Sequence, residues 1–329
     1  MAQPLRWYQP DVIYEATTRT IQERFLLRPS EESRALILGV IARAMLLYTT
    51  VRVYAFTFLS NHYHLLVSAS HPEELALFFG FVNGNISREM GRIHGWKGSL
   101  WGRRVRPTPI LDPEAAVARL RYVLSNGVKE GLVSSPREWP GATSVHGLLG
   151  DMRLEGTWID RDAHRRARVK DPNVGIEAFS TPVEVELSPL PQWESLDAAE
   201  LRQKYEEIVR DVEAEGAQRE LAFVGRDALM SQDPHASPDA PKRATAPLCH
   251  TTSIALRRAF KQAYREFVAA YRNAVARVRA KTETYEALYP EGSFPRPRMF
   301  RQVTAPFVAS VAAALDRVPR LAVGWGTPL

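Results

Sequence analysis

Apolar positions in the first third of the chain alternate between two rhythms. Residues 12–20, VIYEATTRT, are rich in β-branched side chains and predict a strand. Residues 30–48, SEESRALILGVIARAMLLY, place apolar side chains at helical spacing, with Ser30 as the N-cap and Ser33 near the first turn. VRVYAFTFLS (51–60) and HYHLLVSAS (62–70) are two strand-like runs separated by a tight connection at Ser60 and Asn61, which predicts a β-hairpin.

A second helix is expected over 72–94, opened by Pro72 and carrying apolar residues on one side despite Gly80 and Gly84. SLWGRRVRPTPIL (99–111) reads as an extended basic segment, and DPEAAVARLRYVLSNG (112–127) as a helix with Asp112 as cap, Pro113 at its first position and Gly127 at its C′ position. The order β, α, β, β, α, β and then a helix predicts an α+β fold, a ferredoxin-like split βαβ unit with one helix added. The two helices of such a unit cover one sheet face and leave the other for a site.

After about residue 180 the texture changes. TPVEVELSPLPQWES is Pro-rich, and LDAAELRQKYEEIVRDVEAEGAQREL has the mixed charge of a surface helix. Residues 231–248 carry Pro at short intervals and predict an irregular linker, followed by a helix over 252–281. The expected division is therefore a domain at 1–180 and a mostly α-helical extension at 181–329. A short helix at 307–318 is also suggested.

Length and composition narrow the function. At 329 residues, 45% of them hydrophobic, the chain has enough apolar material for a large core, and no apolar run is long enough for a membrane span. The N-terminus lacks the pattern of a secretory leader, so a cytoplasmic location is expected. One cysteine, Cys249, excludes an internal disulfide and a thiolate zinc site, so any metal must be held by His, carboxylates or amides. A formal charge of +6 favours a polyanionic partner. The helix from 252 concentrates this charge in Arg257, Arg258, Lys261, Arg265, Arg272, Arg277, Arg279 and Lys281, either as a positive binding surface or as a solvated face over an apolar stripe of Phe260, Tyr264, Phe267 and Tyr271.

His62 and His64 alternate with Tyr63 along a strand, so both imidazoles leave the same face and form a platform for one cation. With 8 His in 329 residues, about 0.2 such pairs arise by chance, so the pair alone is weak evidence. Weight comes from the helix at 112–126, where Arg119, Tyr122 and Asn126 share one face apart from the apolar stripe of Ala116, Leu120, Val123 and Leu124.

Three ordered blocks, SNHYHLLV at 60–67, LWGRR at 100–104 and RYVLSNGVKEGLV at 121–133, resemble the single-tyrosine HUH transposases, and most closely their REP-associated branch. The resemblance covers about residues 12–145. It implies that His62 and His64 are the paired metal ligands, that Asn126 completes the metal site and that Tyr122 is the nucleophile. Two departures stand out: Asn126 is followed by Gly127 where the family commonly has Pro, and the first strand is not followed by the usual Gly/Asn-rich stretch.

A neutral phenol attacks a phosphodiester poorly, so the reaction implied is metal-assisted: Mg²⁺ or Mn²⁺ would polarise a phosphate oxygen while the tyrosine forms a 5′-phosphotyrosine. Single-stranded or hairpin DNA is the expected partner, taken by a monomer or homodimer. Lys97, Trp101, Arg103, Arg104, Arg106 and Arg119 are the expected DNA contacts, with Trp96 as a further stacking surface and Arg161, Arg165, Arg166, Arg168 and Lys170 as a second basic run. Two rivals remain: a relative that binds a DNA hairpin without cutting, and a metal-independent RNA endonuclease in which a His is the general base.

Overall fold

The structure, a computed structural model, describes residues 4–219, 222–238, 247–280 and 289–293. The chain is α+β. Its strands are β1 (Ile13–Arg19), β2 (Val51–Phe58), β3 (His62–Ala69), β4 (Arg106–Ile110), β5 (Arg153–Ile159) and β6 (Ser180–Glu186). Its helices are α1 (Glu31–Leu47), α2 (Pro72–Ile93), α3 (Pro113–Lys129), α4 (Val145–Leu149), α5 (Arg161–Lys170), α6 (Ala198–Gln218), α7 (Arg226–Met230) and α8 (Ile254–Arg279).

The first four strands form one sheet in the order β2-β3-β1-β4, antiparallel at every pairing. With α1 between β1 and β2, and α2 between β3 and β4, this is the ferredoxin-like split βαβ arrangement expected from the alternation of patterns. Local chemistry sets the element ends: Ser30 and Ser33 form a reciprocal capping box on α1, and the Leu59 N–H to His62 carbonyl bond closes the β2–β3 turn.

Alternation along β3 separates two worlds. Tyr63 is fully buried and its hydroxyl donates to Asn83 of α2 at 3.0 Å, so the odd positions of β3 face α2, beside which α1 packs. His64 meets the ring of Tyr122 on α3, so the even positions face α3. The third helix therefore lies on the sheet face that the first two leave open.

Helix α3 runs beyond its expected end. Gly127 is buried inside it rather than at C′, and the left-handed turn falls at Gly131, with φ of 69°. Space explains Gly127: a Cβ there would sit 3.0 Å from a methyl of Val133 and 3.5 Å from the Trp139 ring. Its small size serves packing rather than termination.

Strands β5 and β6 were not foreseen. They pair from Arg153 with Glu186 to Ile159 with Ser180, so the expected boundary at 180 coincides with the first residue of β6. This small sheet packs on α1 where two glycines meet, a Cβ on Gly39 falling 1.9 Å from the Thr157 carbonyl oxygen and one on Gly156 falling 2.3 Å from the Gly39 nitrogen.

Beyond it, the described residues are mostly helical and return to the first sheet. Asp197 caps α6, which packs along α3. Residue 250 then lies beside β4: Leu111 N–H donates to the His250 carbonyl at 2.9 Å and His250 N–H to that of Pro109 at 2.8 Å. In α8, Phe260 and Phe267 stack on Trp7 with centroids 5.8 and 5.1 Å away, so the apolar stripe is in place, while Arg258, Lys261, Arg265 and Arg272 are exposed. Lys281 and the helix suggested at 307–318 lie outside the described residues.

Candidate active site

The site begins with the register of the sheet. His64 lies opposite Thr17 of β1 and Thr57 of β2, and His62 opposite Arg19. The two imidazoles stand 5.3 Å apart between centroids, with planes at 80°. Both are held at Nδ1: His62 against Asn61 Oδ1 and His64 against Glu15 Oε1, each at 2.7 Å. A carboxylate or amide oxygen can only accept, so Nδ1 carries a proton in both rings, and a ring that holds only that proton has its lone pair at Nε2.

Glu15, two residues from Thr17 on the same strand and face, is the hub of the site. It is 4% exposed. Its Oε1 accepts from His64 and, at 2.6 Å, from Arg119 Nη2; its Oε2 accepts from His250 Nε2 at 2.8 Å. Burial alone would raise this carboxyl, but hydrogen bonds from His250 and His64, with the charges of His64 and Arg119, outweigh it and hold Glu15 well below the usual carboxylate range.

Tyr122 comes to this cluster on α3. Asp112 caps that helix by accepting from Ala115 N–H at 2.7 Å, which fixes the start from which the turns are counted. The Tyr122 ring then meets His64 edge-on at 5.2 Å, with Arg119 Cζ 3.8 Å above it and Lys129 Nζ at 4.5 Å. An open groove between α3 and α6, lined by Arg119, Arg121, Tyr122, Lys129, Glu215 and Arg219, leads to the phenol.

The structure thus brings together His62 and His64 from β3 with Tyr122 and Arg119 from α3. Asn126 is one turn beyond Tyr122 and 1% exposed, its amide nitrogen donating to the Val123 carbonyl at a long 3.5 Å. Arg119, expected as a DNA contact, is bound into the centre of the site through Glu15 and Tyr122.

The other expected DNA contacts divide. Lys97, Arg103 and Arg104 are exposed. Arg106 donates to the Pro247 carbonyl at 2.9 Å and so joins the extension to β4. Trp101 is half-buried, its N–H donating to the Asn83 carbonyl at 2.9 Å and its ring edge-on to Tyr63 at 5.6 Å; these contacts anchor it to the fold. Trp96 lies beside His235 and under Arg24. In the second basic run Arg161 is tied to Glu89, while Arg165, Arg166, Arg168 and Lys170 are exposed.

Sequence reasoning missed Glu15 and His250. Glu15 had a signal, as the lone acid in a strand otherwise of apolar and hydroxyl side chains ending in Arg19. His250, just past a Pro-rich stretch and more than a hundred residues away, had none.

Among the described residues no group of three or more His, Cys, Asp or Glu is arranged to hold a metal ion. The two oriented imidazoles are still a donor set suited to a borderline divalent cation, provided an amide or water supplies further ligands. Among the described residues no helix is long and apolar enough to cross a membrane.

No protein-family model matches the chain, and no curated protein does. Among solved structures, it is similar to a REP-associated tyrosine transposase bound to a REP hairpin, at 17% identity and a TM-score of 0.32 over 45% of this chain and 86% of that one. It is also similar to a candidate transposase from Deinococcus radiodurans, at 17% identity and a TM-score of 0.28 over 38% of this chain and 97% of that one.

Proposed function

We propose that this protein has a transposase-like activity: it cleaves and rejoins single-stranded or hairpin DNA through Tyr122, with a divalent metal ion, Mg²⁺ or Mn²⁺, held by His62, His64 and Asn126. One observation carries the reading. Within a single chain, the Tyr122 ring lies 5.2 Å from that of His64, whose partner His62 is 5.3 Å further on. A phenol and an imidazole pair on one side of a sheet can address the same phosphate.

The residues divide the work. Asn61 and Glu15 fix both ring tautomers, so His62 and His64 present Nε2 rather than a proton. Asn126 offers its carbonyl oxygen. A bound cation supplies charge neutralisation at the phosphate oxygens and their alignment for in-line attack. Arg119 sits over the face of the phenol, where its charge favours the phenolate that develops as the proton leaves.

In the step itself the Tyr122 oxygen bonds to phosphorus, the P–O3′ bond breaks, and the 3′ oxygen departs, taking up a proton as the phenol gives one up. One phosphodiester replaces another, so attack by a 3′-hydroxyl on the phosphotyrosine reverses the reaction. Strand transfer follows when that hydroxyl belongs to a different end, and no nucleotide cofactor is needed.

The test is covalent trapping. A library of end-labelled single-stranded hairpins incubated with the protein and Mn²⁺ should give a denaturant-stable adduct, lost in Tyr122→Phe and on chelation. Binding of the selected hairpin should stay within about threefold in that variant, because one hydroxyl is removed. An adduct that persists in Tyr122→Phe would overturn the proposal. Cleavage of RNA indifferent to both chelator and Tyr122→Phe would replace it with general-base chemistry by a histidine.

A further inference from the structure

His62, His64, Tyr122 and Asn126 all lie in the first 130 positions, yet the site has a participant from far beyond them. His250 donates from Nε2 to Glu15 Oε2 at 2.8 Å, and its side chain is 14% exposed. The backbone around it is fastened on both sides. His250 exchanges bonds with Pro109 and Leu111, Pro247 accepts from Arg106, and Thr251 and Thr252 both donate to the Asp112 carboxylate.

We propose that His250 is a positioning residue of the active site, and that residues 247–252 of the extension belong to the catalytic unit. A carboxylate rotates about its last bond unless both oxygens are engaged. At Glu15, Oε1 faces His64 Nδ1 and Arg119, and Oε2 faces His250 alone among the described partners. With Oε2 held, the carboxylate plane is fixed with Oε1 on the His64 N–H. That bond sets which His64 nitrogen carries the proton, and hence which one is offered to the phosphate side.

The same strap reaches the nucleophile. Asp112 is at once the N-cap of the helix that bears Tyr122 and the acceptor for Thr251 and Thr252. One short segment thereby fixes the imidazole through Glu15 and the phenol through the start of α3. Neighbouring groups that compete for Glu15 are His64 and Arg119, and neither can take the place of His250, because both bind the other oxygen.

The inference rests on His64 being a working part of the site, and the experiment separates its failure from failure of that reading. In the metal-free full-length protein, ¹⁵N ring shifts of His64 at pH 8.5 should show a single species with Nδ1 protonated. In His250→Ala the ring should become a mixture of tautomers. His250→Gln, whose amide can still donate to Oε2, should restore the wild-type spectrum. On the hairpin selected by trapping, single-turnover adduct formation should fall at least about 10-fold in His250→Ala with hairpin affinity unchanged, and recover to within about threefold in His250→Gln.

A wild-type His64 spectrum in folded His250→Ala overturns the positioning role, whatever the protein does to DNA. If His250→Ala does not fold, Thr252→Ala paired with His250→Gln carries the same reading, and a shifted His64 ring in folded His250→Gln overturns it. If neither wild type nor variants form an adduct but the spectra change as expected, the positioning role stands and the DNA chemistry fails.

Discussion

The guanidinium carbon of Arg119 lies 3.8 Å above the ring of Tyr122, closer than any other cation–ring contact in the described structure, while the same side chain grips Glu15 at 2.6 Å. Glu15 sets where the cation stands, and the cation in turn covers the phenol. Among the described residues its Nε is buried without a partner, a donor left for an oxygen that the folded chain does not supply.

Arg119→Met should therefore slow single-turnover adduct formation by about 10- to 100-fold, the scale of one charged contact that strengthens in the transition state, with little change in hairpin affinity. Arg119→Lys should recover part of the rate, since the charge returns without the planar fork. Equal losses in affinity and rate would assign Arg119 to ground-state DNA binding instead.

Glu15→Gln tests the carboxylate hub. An amide can accept at one end only, so it cannot serve His64, Arg119 and His250 together. On the proposed reading Mn²⁺ affinity, measured by calorimetry, should fall about 10- to 100-fold, as for other outer partners of metal-bound histidines. Unchanged affinity would mean that His64 does not hold the metal.

Which of these relationships could be read in advance follows from their range. Strand alternation placed His62 and His64 on one face, and helix geometry placed Tyr122 and Arg119 together, because both periodicities are local. The end of α3 escaped because Gly127 answers to Val133 and Trp139, contacts made by packing, while the actual stop at Gly131 carries the same residue type. Strands β5 and β6 escaped because their pairing depends on a close approach to α1 at Gly39 and Gly156. His250 was invisible because its meaning depends on Glu15, and nothing in the irregular segment around it says what it will touch.

Gly39→Ala should be severely destabilising. The added carbon would meet the Thr157 carbonyl at 1.9 Å, and backbone on both sides cannot yield as a side-chain tip would. A loss of about 3 kcal/mol or more is expected in urea unfolding, at the upper end for overpacking. A variant within 1 kcal/mol of wild type, roughly the ordinary substitution effect, would show that β5 and β6 do not dock on α1 in this way.

Asp112→Ala removes a cap and a tether at once. Loss of an N-cap costs about 0.5–2 kcal/mol. Here Thr251 and Thr252 also lose their acceptor, so a total of about 2–4 kcal/mol is expected. Asp112→Asn should recover the cap and part of the tether. If the two variants are equally unstable, the charge of Asp112 matters more than its geometry.

His94, at the end of α2, gives the fold a pH dependence that can be isolated from the site. Burial, with the charges of Arg28 and His235 beside it, lowers this imidazole from its ordinary 6.5 to about 4. Between those values the unfolded chain binds a proton that the folded chain refuses, so stability is lost as pH falls from 6.5 towards 4. With partial access to solvent discounted, the contribution is of order 1–2 kcal/mol. His94→Gln cannot titrate, and its stability measured by urea unfolding should fall less than that of wild type between pH 7.5 and 4.5. Parallel curves for the two proteins would mean that His94 is protonated as readily folded as unfolded.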